Sequence, residues 1–264
     1  MFRSSPALLQ CLLLAALLIP VSAQEPVGEV YVYVGERGPG APMVLLLWEE
    51  GTALKGLYFL KQNLADIPLR VQRTGARSIL LEEVNAGGNV SGTFTLAFAE
   101  KDPRGRFGNS VLDKEVLVGS WTAAGAASEV YLSADNIRNR NPGMPWYEQA
   151  GASNDAQVER NAQAFYSAVL NGTREAAADL IRYPVLYIGP KTTRTILDRK
   201  AFLRLYNSIF VPEYVACVAR GIPHYMFSRD SGIMLSDGAV WFDQEGMVKS
   251  LIHSDLCKPR PAKP

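Results

Sequence analysis

Between Glu29 and Asp135 the sequence runs through eight short apolar stretches, each closed by turn-forming residues. That succession limits what the chain can fold into more than any other feature. The stretches read EVYVYVG, PMVLLLWE, LKGLYFLK, IPLRVQR, RSILLEEV, SGTFTLAF, EVLVGSW and SEVYLS. Between them lie GERGPGA, EEGTA, TGA and NAGGNV, rich in residues that supply the backbone angles tight turns need. Strands at this spacing, with no helical period between them, predict an all-β antiparallel meander of about eight strands, a barrel or a sandwich. Closure is favoured because it hides the edges. Only one connection is long, residues 99–114. In LKGLYFLK, Leu57 and Phe59 fall on one face and Tyr58 and Leu60 on the other, so both faces are covered. The expectation is an interior filled by side chains, rather than a ligand cavity, and an outer wall packed on the rest of the chain.

The texture changes after residue 135. Residues 136–154 carry Asn, Pro and Gly without hydrophobic period and read as an interdomain linker on which Trp146 and Tyr147 dock back. From Asp155, Val158, Ala162, Phe165, Tyr166 and Val169 recur at helical spacing, with Ser153 or Asn154 as cap. A second helix, REAAADLI, follows Thr173 as its cap. YPVLYIG and TRTI form a strand pair. Asp198 caps RKAFLRLYNSIF, and Pro212 suits the first turn of PEYVACVAR. Three segments finish the chain: the strand HYMFS, the hairpin GIMLSDGAVWF and the strand MVKSLIHS. In that hairpin Asp237-Gly238 is the turn, so Ile233 pairs with Phe242 and Leu235 with Val240 on one face, Met234 with Trp241 on the other.

This helix, helix, strand pair, helix and meander order resembles the nuclear transport factor two-like family, also called SnoaL-like or cystatin-like cone folds. The likeness is carried by AFYSAVLNGTREAAADLIRYPV, ILDRKAFLRLYNSIF and GIMLSDGAVWFDQEGMVKSLI. The first part is similar to β-meander domains of exported bacterial proteins. The resemblance implies an α+β cone over residues 155–258, with a curved antiparallel sheet around helices, after a β-meander domain at 24–135. Family members include isomerases, dehydratases, cyclases and pure binding or assembly modules. Fold alone therefore assigns no role, and no catalytic motif carries over.

The first 23 residues have one Arg, an apolar run from Ala7 to Ile19 and small residues at Val21-Ser22-Ala23. This is the pattern of a cleaved export signal, too short for a membrane anchor. Residues 259–264 are a tail. The chain carries 27 Lys and Arg against 26 Asp and Glu. Loss of Arg3 with the leader brings the balance to zero, which gives no electrostatic case for nucleic acid or an anionic membrane. Cys217 and Cys257 remain and are read as one disulfide of an oxidising compartment, periplasmic or extracellular.

Chemical signals are sparse. No phosphate-cradling loop is present, and no cofactor is expected. GNVSG places Ser91 one position late for a nucleophile elbow. His224 and His253 lack ligand-like spacing. Glu49-Glu50 and Glu82-Glu83 sit at strand ends and read as solvated. Asp243, beside Trp241-Phe242, and His253 are the weak catalytic candidates. Binding candidates are Trp241, Met234, Tyr206 and Tyr166. The function expected is an exported, non-catalytic binding protein of the bacterial envelope whose partner is another envelope protein or a small apolar ligand. The alternatives are a cone-fold enzyme acting on a small apolar substrate and a homodimer formed through the outer sheet face.

Overall fold

A computed structural model describes residues 25–85, 87–99, 116–230, 232–253 and 255–257. The expected leader 1–23, the tail 259–264 and most of the 99–114 connection lie outside the described residues.

All eight apolar stretches are strands: β1 (Gly28–Arg37), β2 (Pro42–Glu50), β3 (Ala53–Leu60), β4 (Ile67–Gly75), β5 (Ser78–Val84), β6 (Val90–Ala99), β7 (Val116–Ala123) and β8 (Ala126–Arg140). Each pairs antiparallel with the next, and β8 returns to β1, closing a barrel. Strand alternation then sorts the side chains into two populations. Tyr33, Leu45, Tyr58, Leu69, Leu81, Phe94, Leu117 and Leu132, drawn from every strand, form one buried cluster inside the barrel. Val30, Val32, Val44, Leu46, Leu57 and Phe59, of opposite parity on β1 to β3, join a second cluster made mostly by residues 146–257. The expected packed outer wall is present on these strands; the expected filling of the interior holds along the barrel except at one end, where a cavity remains.

One boundary differs. The strand β8 runs five residues into the stretch expected to be linker, pairing Asn136 to Arg140 with Val32 back to Gly28. Arg138 explains the extension. Its guanidinium is buried, donates to Ser228 Oγ at 2.9 Å and to Met226 O at 3.3 Å, and lies 5.1 Å from the Trp146 ring. Trp146 and Tyr147 are buried as expected, at 3% and 0% exposure.

The remainder folds as α1 (Asp155–Leu170), α2 (Arg174–Asp179), β9 (Ile181–Gly189), β10 (Thr192–Ile196), α3 (Arg199–Ile209), α4 (Pro212–Arg220), β11 (Phe227–Arg229), β12 (Gly232–Leu235), β13 (Val240–Phe242) and β14 (Val248–Ile252). Asn154 accepts from Gln157 N and Asp198 from Ala201 N, the side-chain caps that start α1 and α3. Thr173 does not cap α2; its hydroxyl donates backwards to Ala168 O. The six strands form one sheet in the order β10-β9-β14-β13-β12-β11. An antiparallel sheet was expected, and the sheet is mixed: β14 runs parallel to β9. Parallel neighbours need a long crossover, and here the chain between them includes two helices and four strands.

The hairpin register is as read from the sequence, with Ile233, Met234 and Leu235 opposite Phe242, Trp241 and Val240. Asp237 and Gly238 both take positive φ, and Ala239 N bonds to Ser236 O across them. Between helices and sheet the space is filled by Phe165, Phe202, Phe210, Tyr214 and Phe242, whose rings meet at centroid distances of 5.7 to 6.3 Å. Cys217 on α4 and Cys257 are disulfide-bonded, with Cα atoms 4.9 Å apart. Among the described residues no helix is long and apolar enough to cross a membrane.

Candidate functional site

The barrel is built differently at its two ends. Where β1, β3 and β5 begin, inward-facing residues stop short of filling it and leave a cavity of about 520 Å³. Tyr31 and Tyr33 on β1, Leu47 on β2, Leu54 on β3 and Phe98 on β6 line it, with Glu29, Glu49, Arg73 and Arg77 around the mouth. The register makes this inevitable: Tyr31 sits opposite Leu47 and Glu49 opposite Leu54, so one inward-facing row passes from aromatic to apolar to charged towards the solvent. Tyr31 donates to Glu29 at 3.0 Å, Arg73 pairs with Glu49 at 3.3 Å, and Arg77 Nε donates to Phe98 O at 3.0 Å. The polar rim is thus braced, and Tyr33 and Leu47 form a floor continuous with the barrel core.

The opposite end is shut by a polar plug. Glu83, 7% exposed, accepts from the Tyr58 hydroxyl at 2.5 Å and from Trp121 Nε1 at 2.6 Å. Arg37 reaches the same carboxylate at 3.5 Å, with its guanidinium 4.1 Å from the Trp121 ring. Gly92 makes room: a β-carbon there would stand 2.5 Å from the Glu83 carboxylate and 2.8 Å from Trp121 Nε1. Burial, then the bond to Glu83, drives the Tyr58 hydroxyl far above its usual pKa, so it stays a donor. Glu83 is therefore not the solvated strand end expected for the Glu82-Glu83 doublet. Ser91 is exposed and sits 3.4 Å from the Glu83 carboxylate.

A third cluster lies where the barrel meets the helices. His224 Nδ1 is 2.6 Å from Glu159 on α1, and Nε2 is 2.9 Å from Asp66 in the turn between β3 and β4. Tyr225 OH also donates to Asp66, and Tyr147 OH to Glu159. Burial acts to lower the His224 pKa, but bonds and charges from Asp66 and Glu159 outweigh it and hold the ring at about 9. Both ring nitrogens are taken up by carboxylates. The imidazolium is a clamp between two parts of the chain, without a lone pair for proton transfer. Among the described residues no group of three or more His, Cys, Asp or Glu is placed to hold a metal ion.

Family models, curated proteins and solved structures, when compared with this chain, yield no match. No residue role therefore reaches it from a relative.

The residues singled out in the sequence are scattered. Asp243 is buried and accepts from Glu245 N and Met247 N at 2.9 Å and from Arg182 Nε at 2.8 Å, a brace for its own turn. The His253 ring stacks on Tyr214 at 5.0 Å, and its backbone N–H donates to Ile188 O. Tyr166 donates to Ala219 O at 3.0 Å. Tyr206 is buried, packed 4.7 Å from the Phe210 ring. Met234 and Trp241 are half-buried on the sheet face opposite Ile233 and Phe242, and Trp241 borders a shallow depression of about 320 Å³. None of these lines the barrel cavity. The cavity, Asp66, Glu159 and the buried state of Glu83 were not picked out in the sequence. For Glu83 the signal is present: SILLEEV places Ile79, Leu81 and Glu83 on one face. For His224 no local signal exists, because its partners are 158 and 65 residues away.

Proposed function

We propose that the protein is an exported, non-catalytic binding protein of the bacterial envelope, with a barrel domain and a cone domain, whose barrel holds a small, largely apolar molecule. The supporting observation is the asymmetry of the barrel, plugged by Glu83, Tyr58 and Trp121 at one end and hollow at the other. A volume of about 520 Å³ lies within the range of small-molecule sites. Tyr31, Tyr33, Leu47, Leu54 and Phe98 offer aromatic and apolar surface, and Glu29, Glu49, Arg73 and Arg77 add a comparable polar share, which suits an apolar molecule carrying a polar end. Catalysis fits less well. In a cone-fold enzyme ionisable groups would converge inside the cone, and that space is packed with phenylalanine. The disulfide and the leader-like first 23 residues support export.

The test uses the neutral fluorophore N-phenyl-1-naphthylamine with the purified protein. A single saturable site is expected, lost on Ala76→Trp, a change at the exposed mouth that leaves the core untouched. Fluorescence that fails to saturate, or that is the same in the Ala76→Trp variant, would overturn the reading.

A further inference from the structure

From Gly189 to Leu205 the chain holds five basic residues and one acid, Asp198, although the whole sequence is nearly neutral. Arg199 is taken up by Asp179 at 2.7 Å. Lys191, Lys200 and Arg204 have no side-chain partner among the described residues, and Arg194 has only the Thr192 hydroxyl at 3.4 Å. Elsewhere Arg70, Arg73, Arg182 and Arg229 each pair with a carboxylate, so what marks this segment is the closeness of several unneutralised cations along the chain.

Topology gathers these four onto one flank. Arg194 stands opposite Tyr187 across the β9–β10 pair and, with Lys191, forms one wall of a groove of about 410 Å³ whose other wall is α3. Arg204 lies one turn before Ser208 of that wall, and Lys200 one turn before Arg204. Just before Asp198, the cap of α3, stands Leu197, 70% exposed and three residues along the chain from both Arg194 and Lys200.

We infer that this flank docks on an anionic phospholipid surface, with Lys191, Arg194, Lys200 and Arg204 at the phosphates and Leu197 entering the interface. Charge complementarity selects an anionic partner. The leucine selects a lipid one, because an exposed apolar side chain close along the chain to long cationic stems matches the graded polarity of a bilayer interface. The neutral total charge does not oppose this. Attraction to a charged membrane fades within a Debye length, about 8 Å in physiological salt, so the membrane senses the flank and not the sum.

Co-sedimentation of the purified protein with phosphatidylcholine vesicles, with and without phosphatidylglycerol, tests the inference. Binding is expected only with phosphatidylglycerol, weakening with added salt and falling about fivefold for each flank charge removed in the double variant Lys200→Gln/Arg204→Gln. Leu197→Ser should weaken it further without changing the salt dependence. The matched barrel variant Lys55→Gln/Arg70→Gln should bind as the unaltered protein does. Equal binding to both vesicle types, no binding to either, or equal losses in the two double variants would each overturn it. Capture by immobilised polyglutamate without vesicle binding would replace the lipid with an acidic polypeptide.

Discussion

His224 is a charge held between carboxylates contributed by distant parts of the chain, and its energetic weight follows from that placement. Its folded pKa of about 9 lies above the unfolded value of about 6.5. A raised pKa means that the stabilisation is complete below about pH 6.5 and is lost as pH rises through about 9. Its size is on the order of 3 kcal/mol. Thermal unfolding of the His224→Gln variant should therefore fall well below that of the unaltered protein at about pH 6 and converge with it at about pH 10. A gap that does not depend on pH would sink the clamp. Glu83 makes a second residue-scale case. Glu83→Ala strands the Tyr58 hydroxyl, the Trp121 N–H and the Arg37 charge together, and a cost of about 3 kcal/mol is expected in urea unfolding. Glu83→Gln, which keeps an acceptor, should cost less. The inward direction of Glu83 was readable from alternation in SILLEEV. The partners of His224 were not, because tertiary closure alone brings Asp66 and Glu159 to it.

At the scale of elements, the barrel is closed by the seam between β1 and β8, and the seam needs a glycine. A β-carbon on Gly35 would overlap the Tyr131 carbonyl oxygen, so only hydrogen lets these strands approach. Gly35→Val should destabilise by at least about 3 kcal/mol and speed amide exchange in β1 and β8 before it does so in β4 or β5. Equal exchange throughout would show that the seam carries no special strain. Strand existence was legible in every case, since turn residues and apolar runs are local signals. Two features were not. The polar residues Asn136 to Arg140 hid the end of β8, whose pairing is set by a distant edge of β1. The parallel contact of β14 with β9 depends on a crossover that no short-range pattern records.

For the whole molecule, two counts taken over the chain differ in how much they reveal. Near-zero net charge conceals the cationic flank on β10 and α3, because an excess of acidic residues elsewhere cancels it arithmetically and not spatially. The two cysteines that follow the expected leader, by contrast, are fully informative, and the disulfide predicted from their count joins α4 to the turn at Cys257. It closes a loop of about 40 residues that holds β11 to β14, worth about 4 kcal/mol through restriction of the unfolded chain. Cys217→Ala/Cys257→Ala should lose about that much in chemical denaturation. A loss under about 1 kcal/mol would mean that the unfolded chain is already confined there.

The strand β2 has a consequence for how this chain can be cut. Met43 to Trp48 are buried without interruption: Met43, Leu45 and Leu47 face the barrel interior, while Val44, Leu46 and Trp48 face the other cluster. It is a party wall with a tenant on each side. A fragment ending at Arg140 would keep its hydrogen-bonded seam and yet turn Val32, Val44, Leu46, Trp48, Leu57 and Phe59 towards water, an oily flank that invites self-association. The barrel is drawn by its strands as a separate object, and β2 makes it inseparable from its neighbour.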